Sequence, residues 1–220
     1  MTSRAPSAPP LFRLDPDRFP ATSGERQGDT PVIANLSGDY GYLSSGYYVS
    51  LDAELSGAAV MPTTGEALDA YVVAIAMQKA QAADIAVPDH DIVTDRFPPP
   101  PLLAYPLNPF SLHGELVLDP ETLEARRKGL TYTGKYAVLV QRLPVDHRID
   151  VVRVVFGRTV VSEYADFAAR VFAAFRIPLM KVRVVVTPKA YLLSAIEPLP
   201  FAELLEEERA ALEGLGTWRA

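Results

Sequence analysis

Apolar residues in the first half of the chain form two short runs with a helical repeat between them. The runs, residues 32–36 and 58–61, have the length of buried strands and are bounded by proline, glycine or serine. Between them, apolar side chains recur at helical spacing: Tyr47, Tyr48, Leu51 and Leu55. Ser44 or Ser45 can cap this helix and Gly57 can end it. Strand, helix and strand within about 30 residues predict a right-handed βαβ unit with parallel strands.

A capping box follows the second short run. Thr63 and Glu66 have its spacing, which predicts an apolar helix over residues 67–83.

The second half of the chain is dominated by β patterns. Stretches rich in Val and Ile then alternate with helical repeats. The predicted elements are strands over 136–143 and 149–156, a helix over 160–175, a hairpin over 179–186 and 190–196, and a charged amphipathic helix over 201–214.

Prolines divide the chain, because 20 of its 220 residues are proline and they cluster in two regions. Residues 1–29 lack hydrophobic periodicity and are predicted to be a flexible tail. Residues 93–112 contain four consecutive prolines and are predicted to be an extended, proline-rich connector. We therefore predict an α/β fold: a single domain (30–220) with a βαβ unit and a mixed sheet, made of a Rossmann-like βαβα half (30–92) and a β-rich half with a C-terminal helix (113–220).

Composition and charge exclude some classes of protein and make some binding partners unfavourable. Hydrophobic residues make up 49% of the chain and charged residues 22%, which is enough apolar material for a sizeable core. Lys and Arg total 21 against 27 Asp and Glu, a net charge of −6 that disfavours nucleic acid and anionic lipid. No run approaches the roughly 18 apolar residues of a membrane span. Cysteine is absent, which excludes disulfides and thiolate metal sites. We expect a cytoplasmic protein that binds neither nucleic acid nor membrane.

The loop between the first strand and the helix is the main candidate for ligand binding. Residues 37–46 leave the carboxyl end of a parallel strand and enter a helix N-terminus, where ligands bind in open α/β sheets. Its glycines do not have the spacing of a dinucleotide fingerprint, and Asp39 would repel an anion. The same pattern is equally consistent with a structural role, in which the glycines permit tight turns and the tyrosines of this region cover the sheet edge.

Other chemistry-bearing residues give weaker signals. His90 stands between two aspartates in an extended stretch, where neighbouring side chains point apart, and neither His113 nor His147 has a partner at helical spacing. We therefore predict no metal, no cofactor and no catalytic residue. The basic residues 126–128 with Lys135 are either the solvated end of a helix or a dock for an acidic partner.

The segment from Asn35 to Pro62 resembles the signature of the RimK-like ATP-grasp N-terminal domain. In that signature a strand ending in Asn-Leu is followed by a Tyr-x-Tyr loop and then by Gly-Tyr-Tyr-Val-Ser-Leu-x-Ala-Glu. The matching residues are Asn35, Leu36, Tyr40, Tyr42, Ser44, Gly46, Tyr47, Tyr48, Val49, Ser50, Leu51, Ala53, Glu54, Gly57 and Pro62. Parts of the segment from Val155 to Leu199 resemble the later part of the family. The chain departs from the signature at Ser37, Gly38 and Gly41, where the family has a cysteine and two basic residues.

The resemblance implies a role in amide or peptide ligation. In the family this domain precedes an ATP-grasp module that activates a carboxylate as an acyl phosphate and joins it to an amine. The chain ends about where that module would begin, so we expect a non-catalytic accessory or substrate-recognition domain that works with a separately encoded ATP-grasp ligase. Its C-terminal helix and Trp218 would be the contact with that ligase.

The alternative is a stand-alone protein or enzyme that binds a small molecule or nucleotide at the loop before the Gly46 helix. A small molecule or a peptide is the expected substrate under either reading. The candidate ligand-binding residues are Asn35, Tyr40, Tyr42, Ser44, Gly46, Tyr47, Tyr48 and Ser50.

Overall fold

Helices and strands are distributed over the whole described part of the chain. The computed structural model describes residues 11–15, 32–108 and 113–218. The helices are α1 (Ser45–Leu55), α2 (Thr64–Tyr71), α3 (Val73–Ala82), α4 (Pro120–Leu130), α5 (Ala165–Phe175) and α6 (Glu206–Glu213). The strands are β1 (Leu11–Leu14), β2 (Ile33–Asn35), β3 (Val60–Met61), β4 (His90–Val93), β5 (Leu102–Pro106), β6 (Glu115–Val117), β7 (Val138–Arg142), β8 (Arg148–Val155), β9 (Leu179–Val186), β10 (Tyr191–Pro198) and β11 (Gly216–Trp218).

The strands of the described residues form three sheets. The first is mixed and has the order β11-β1-β2-β3, with β2 parallel to β3 and the other pairs antiparallel. The second, β4-β7-β5-β6, and the third, β10-β9-β8, are antiparallel. The parallel pair is joined through α1, so the predicted βαβ unit is confirmed, and so is the α/β class with a mixed sheet.

Two strands lie where the proline pattern predicts none. Strand β1 falls within the predicted flexible tail, yet Phe12 and Leu14 are buried and β1 pairs on both sides. The prediction is wrong for these residues, because a strand of four residues is too short to give a periodic signal and β11, one of its partners, lies at the other end of the chain. The remaining residues of the predicted tail lie outside the described residues.

Strand β5 falls within the predicted proline-rich connector. It is a central strand, paired with β6 on one side and β7 on the other, and its residues Leu102 to Tyr105 are buried. The connector prediction is therefore wrong for β5. The prolines on either side of the strand hid a run of apolar residues, and Pro106 is its last residue, where a missing amide donor is tolerated.

The predicted helices are confirmed with three changes. The helix predicted over 160–175 begins only at Ala165, after a 3-10 turn over Ser162–Tyr164. The capping box of Thr63 and Glu66 is formed, but the helix after it is divided at Val72, whose extended backbone separates α2 from α3. The closing helix is shorter than predicted, since residues 201–203 form a 3-10 turn before α6. In the described part of the chain, none of the helices combines the length and the apolar character that crossing a membrane requires.

A buried polar network joins the second and third sheets. The Ser194 hydroxyl donates to Gln141 Oε1 at 2.6 Å, so the Tyr105 hydroxyl, 2.7 Å away, donates to Ser194 Oγ. Gln141 Nε2 donates in turn to the Ser194 carbonyl oxygen at 2.8 Å. Burial raises the pKa of Tyr105 to about 12, so the phenol keeps its proton and remains a donor. The network lies at an irregularity in the pairing of β10 with β9.

An ion pair attaches the last helix to the third sheet. Arg153 on β8 donates to both carboxylate oxygens of Glu208 on α6 at 2.7 Å, and the Leu205 amide donates to the same carboxylate at 2.9 Å. Burial alone would raise the pKa of Glu208, but the hydrogen bonds from Arg153 and Leu205 outweigh it, so this pKa lies below its usual value. Leu204, Leu212 and Leu215 are buried beside this contact.

We expect Ser194→Ala to destabilise the protein by about 3 kcal/mol, because it leaves the Tyr105 hydroxyl and Gln141 Oε1 buried without their partner. Urea unfolding measures the loss. The double variant Ser194→Ala/Tyr105→Phe removes one of the two orphaned groups, so its loss should be smaller than the sum of the single losses. Strictly additive losses would contradict a coupled network.

We expect Glu208→Gln to lower the free energy of unfolding at pH 7 by about 1–3 kcal/mol, because the Arg153 guanidinium loses its charged partner. The pKa of Glu208 is lower in the folded state, so the ion pair stabilises the protein fully above the unfolded-state pKa of about 4.3. This contribution is lost as the pH falls through the folded-state pKa.

Urea unfolding of wild type and variant between neutral and acidic pH checks this dependence, with Glu206→Gln, an exposed residue in the same helical turn, as the control. A difference between wild type and Glu208→Gln that does not shrink below about pH 4 would contradict it.

Candidate functional site

The Asn35 carboxamide connects the first strand, the loop and the helix of the βαβ unit. Its side chain is fully buried at the end of β2. Nδ2 donates to the Gly46 carbonyl oxygen at 2.7 Å and to Ser50 Oγ at 3.0 Å. Oδ1 accepts from the Ser37 amide at 3.1 Å and from the Ser37 hydroxyl at 2.5 Å. One side chain therefore fixes the position of α1 relative to β2.

The Ser50 hydroxyl extends the hydrogen bonds of Asn35 to the second parallel strand, β3. Its hydroxyl donates to the carbonyl oxygen of Pro62, the residue after β3, at 2.6 Å, while it accepts from Asn35 Nδ2. Asn35, Ser50 and Pro62 thus form a directed hydrogen-bond chain across the βαβ unit. The polar groups of Asn35 and Ser50 are used within the protein.

Tyr40 is a buried part of the loop. Its hydroxyl donates to the Asn35 carbonyl oxygen at 2.7 Å, and its side chain has no exposed surface. Burial raises the pKa of Tyr40 well above its usual value, so the phenol stays protonated at any physiological pH. Its ring stacks against Tyr71 of α2, with ring centroids 6.4 Å apart. Tyr40 therefore fastens the loop to the strand and to the second helix.

Two glycines of the loop, Gly46 of the signature and Gly38 at a position where the chain departs from it, allow close backbone approach. A Cβ atom on Gly46 would lie 2.1 Å from the Asp39 carbonyl oxygen. Gly38 has a φ of +75°, and a Cβ atom there would lie 1.9 Å from the carbonyl oxygen of Leu199. The Leu199 amide donates to the Gly38 carbonyl oxygen at 2.8 Å, so the loop is also tied to the segment after β10. These glycines serve contacts within the protein.

The N-terminus of α1 is capped by its own loop. Ser44 Oγ accepts from the Tyr47 amide at 3.1 Å and donates to the Asp39 carbonyl oxygen at 3.0 Å. The Tyr48 amide donates to the Ser44 carbonyl oxygen at 3.2 Å. Of the two serines that could cap this helix, Ser44 is therefore the N-cap, and two amides of the first helical turn already have acceptors.

The remaining tyrosines of the signature lie at the surface. Tyr42 is 47% exposed and Tyr48 is 48% exposed, while Tyr47 packs partly against the core. The Tyr47 ring meets Tyr42 edge-on with centroids 5.5 Å apart and Tyr48 edge-on at 6.3 Å. Leu43, between them in the chain, is half exposed and has a φ of +65°. We call Tyr42, Leu43, Tyr47 and Tyr48 the tyrosine surface.

The structure thus separates the predicted candidates into two groups. The inward group, which builds the loop and helix, consists of Asn35, Tyr40, Ser44, Gly46 and Ser50. The outward group consists of Tyr42, Tyr47 and Tyr48. A ligand-binding role stays a prediction, and the geometry favours it for the outward group alone, because those side chains reach the surface. The signature gave no sign of this division, since both groups contain tyrosines.

The three histidines lie apart from one another in the structure and do not form a common site. His90 Nδ1 lies 2.9 Å from the Pro88 carbonyl oxygen and His147 Nδ1 lies 2.6 Å from that of Pro144, so each histidine contacts a backbone oxygen two or three residues before it. His113 lines a cavity of about 10 Å³ beside Tyr71 and Tyr105, which has the size of a single water. Among the described residues, three or more His, Asp or Glu side chains are nowhere grouped as a metal would require.

Solved structures similar to the chain are ATP-grasp proteins. A RimK-domain ATP-grasp protein from Sphaerobacter thermophilus has a TM-score of 0.56 and 16% identity, over 76% of this chain and 74% of that one. D-alanine–D-alanine ligase from Bacillus anthracis in complex with ATP has a TM-score of 0.55 and 14% identity, over 76% and 69%. The corresponding ligase from Helicobacter pylori has a TM-score of 0.55 and 13% identity, over 76% and 64%. At these identities the similarity shows the fold alone.

Sequence comparison identifies the family. Among curated proteins, none is significantly similar in sequence to the chain. The family model of the RimK-like ATP-grasp N-terminal domain, however, matches residues 20–93 and 130–214, which are well over half of the chain. These ranges contain the βαβ unit with its buried Asn35 connection and the third sheet with α5 and α6. The chain therefore belongs to the family of RimK-like ATP-grasp N-terminal domains.

Proposed function

We propose that the chain is a recognition domain for ATP-dependent ligation of the ATP-grasp type, and that it contacts the ligase chain through the tyrosine surface. The observation that carries the proposal is the division within the signature. The side chains of Asn35, Tyr40 and Ser50 form hydrogen bonds within the protein, whereas those of Tyr42 and Tyr48 are half exposed. The signature then serves to hold an aromatic surface in place.

The support beneath the tyrosine surface favours tight contact. Tyr47 packs between the core and the two exposed rings, and Ser44 fixes the start of the helix that carries Tyr47 and Tyr48. A rigid surface loses little conformational entropy on binding. Tyrosine is also among the residues that contribute most to binding at protein interfaces, because its ring buries a large area and its hydroxyl can still form a hydrogen bond.

The alternative of a small-molecule or nucleotide site at the Gly46 helix has less support. Such a site would use the amides at the start of α1, but those of Tyr47 and Tyr48 already donate to Ser44. The Asp39 carboxylate lies in the same loop, where it accepts from the Gly41 amide at 3.1 Å, and it would repel a phosphate.

The C-terminal helix is a less suitable contact than the sequence pattern suggests. Glu208 and Leu212 of α6 are buried, and β11 completes the mixed sheet beside β1. A chain truncated before Phe201 would lose part of its core, so its failure to bind would not locate an interface. The side chain of Trp218 lies outside the described side chains. Surface substitutions on the folded chain are therefore the better test.

We expect Tyr42→Ser/Tyr48→Ser to weaken binding to an ATP-grasp ligase at least about tenfold, because each ring of such a surface contributes about 1 kcal/mol or more. Co-purification of tagged chain with candidate ATP-grasp ligases identifies the partner, and titration calorimetry measures the affinity. The free energy of unfolding should change by less than about 1 kcal/mol, since both rings are half exposed. Val151→Ser, at a side chain 50% exposed on β8, is the matched control.

A complex that keeps its affinity in the double variant would place the interface elsewhere. Amide ligation by the purified chain alone, with ATP, Mg²⁺ and substrates, would refute the recognition role itself.

Unlike the tyrosine double variant, which should lose binding and keep its stability, Asn35→Ala should lower the free energy of unfolding by about 3 kcal/mol or more. It leaves the Ser37 amide and hydroxyl without the acceptor they share. Urea unfolding measures the loss, and calorimetry at a temperature where the variant is still folded measures binding. Unchanged stability together with lost binding would show that Asn35 is a contact residue and that the proposed division of the signature is wrong.

A further inference from the structure

A cleft of about 440 Å³ lies where the C-terminal end of α4 meets the segment after β4. Its volume is within the range of small-molecule sites. Arg127 and Lys128 line it on the helix side and Thr94 and Asp95 on the other, with Thr131 and Thr133 between them. We call this the basic cleft. It shares no residue with the tyrosine surface, and it does not depend on the proposed function.

The charges of the basic cleft are available to a ligand. Arg127 pairs with Glu124 at 3.2 Å, but the two side chains are 41% and 72% exposed, and an ion pair so exposed contributes little to stability. Lys128 is exposed and has no ion pair within the described part of the chain. The lining contains one carboxylate, that of Asp95. A phosphate that reaches Arg127 therefore takes the place of Glu124 beside this guanidinium, and Lys128 adds a second cation next to it.

The wall of the cleft is held rigidly in an unfavourable conformation. Tyr132, Thr133 and Gly134 have φ values of +51°, +58° and +83°, a left-handed run that includes a β-branched residue. The buried Thr131 hydroxyl holds this run, because it accepts from the Gly134 amide at 2.9 Å and donates to the Arg127 carbonyl oxygen at 2.8 Å. Strained backbone of this kind concentrates at binding sites. A cation at a helix C-terminus also offsets the helix dipole, but that effect requires neither a cleft nor a strained wall.

Four of the seven residues that line the cleft lie outside the ranges that the family model matches. The family model stops at residue 93 and resumes at residue 130, so Thr94, Asp95, Arg127 and Lys128 all lie in the unmatched segment.

We propose that the basic cleft binds a phosphate-bearing small molecule, a phosphate monoester or diphosphate. The guanidinium of Arg127 presents a planar fork of donors that matches two phosphate oxygens, and the ammonium of Lys128 supplies a second charge to the same dianion. Thr133 also lines the cleft, and its hydroxyl donates to the Tyr132 carbonyl oxygen at 2.6 Å. Asp95, which would repel the phosphate itself, faces the part of the ligand that carries hydroxyl or amino donors.

The test is a titration of ¹⁵N-labelled chain with inorganic phosphate and with pyrophosphate, at constant ionic strength maintained by NaCl. We expect saturable amide shifts confined to residues 94–95 and 127–134. Arg127→Gln and Lys128→Gln should each weaken the binding of pyrophosphate about tenfold, since each removes a charge-assisted hydrogen bond. Asp95→Asn should tighten it about threefold by removing a repulsive charge. Lys189→Gln, at an exposed lysine in the turn between β9 and β10, is the matched control and should have no effect.

Unchanged thermal unfolding of the Arg127 and Lys128 variants would confirm that a loss of binding is not a loss of fold. Shifts that do not saturate, or an equal weakening by Lys189→Gln, would reduce the interaction to general electrostatic attraction and overturn the proposal. Saturation of the same amides by a hexaglutamate peptide but not by pyrophosphate would also overturn it, in favour of an acidic protein partner.

Discussion

The hydrogen bonds of the Asn35 carboxamide are the contact on which the N-terminal half of this protein depends. A single side chain at the end of β2 donates to the first turn of α1 and to Ser50, and it accepts from the loop that joins strand and helix. Because these groups are buried, every one of them must be satisfied or the βαβ unit loses stability. The close approach of loop and helix at Gly46 is required by the same arrangement, since a larger residue would meet the Asp39 carbonyl oxygen.

A second set of contacts unites the rest of the chain around that unit. The Tyr105, Gln141 and Ser194 network crosses between the second and third sheets, and the Arg153 to Glu208 ion pair holds the last helix on β8. The network is buried and the ion pair is partly buried, and polar groups have stricter geometric requirements than packed methyl groups. They therefore set the relative positions of elements that hydrophobic burial alone would hold together without a defined register.

The sequence predicts the elements whose signals are local. The βαβ unit, the Thr63 to Glu66 capping box and the hairpin of β9 and β10 each rest on spacing within a few residues, and each is present. Strands β1 and β5 are not predicted, because their own residues carry no clear strand pattern and they form strands by pairing with other strands. Strand β1 lies between β2 and β11, and β5 lies between β6 and β7.

The division of the candidate site into inward and outward residues is also not predictable from local spacing. Whether a tyrosine of the signature faces inward, as Tyr40 does, or outward, as Tyr48 does, depends on neighbours that are brought together by the fold.

The position of β1 also has a consequence for how the protein acquires its structure during synthesis. Strand β1 is made first, yet one of the two strands that flank it, β11, is the last described element of the chain. The mixed sheet can be completed only after residue 218 has left the ribosome, and until then one edge of β1 is unpaired. Closing so long a loop is slow, and an unpaired strand edge invites intermolecular pairing. Nascent chains of this protein should therefore be substrates for ribosome-associated chaperones until β11 has been synthesised.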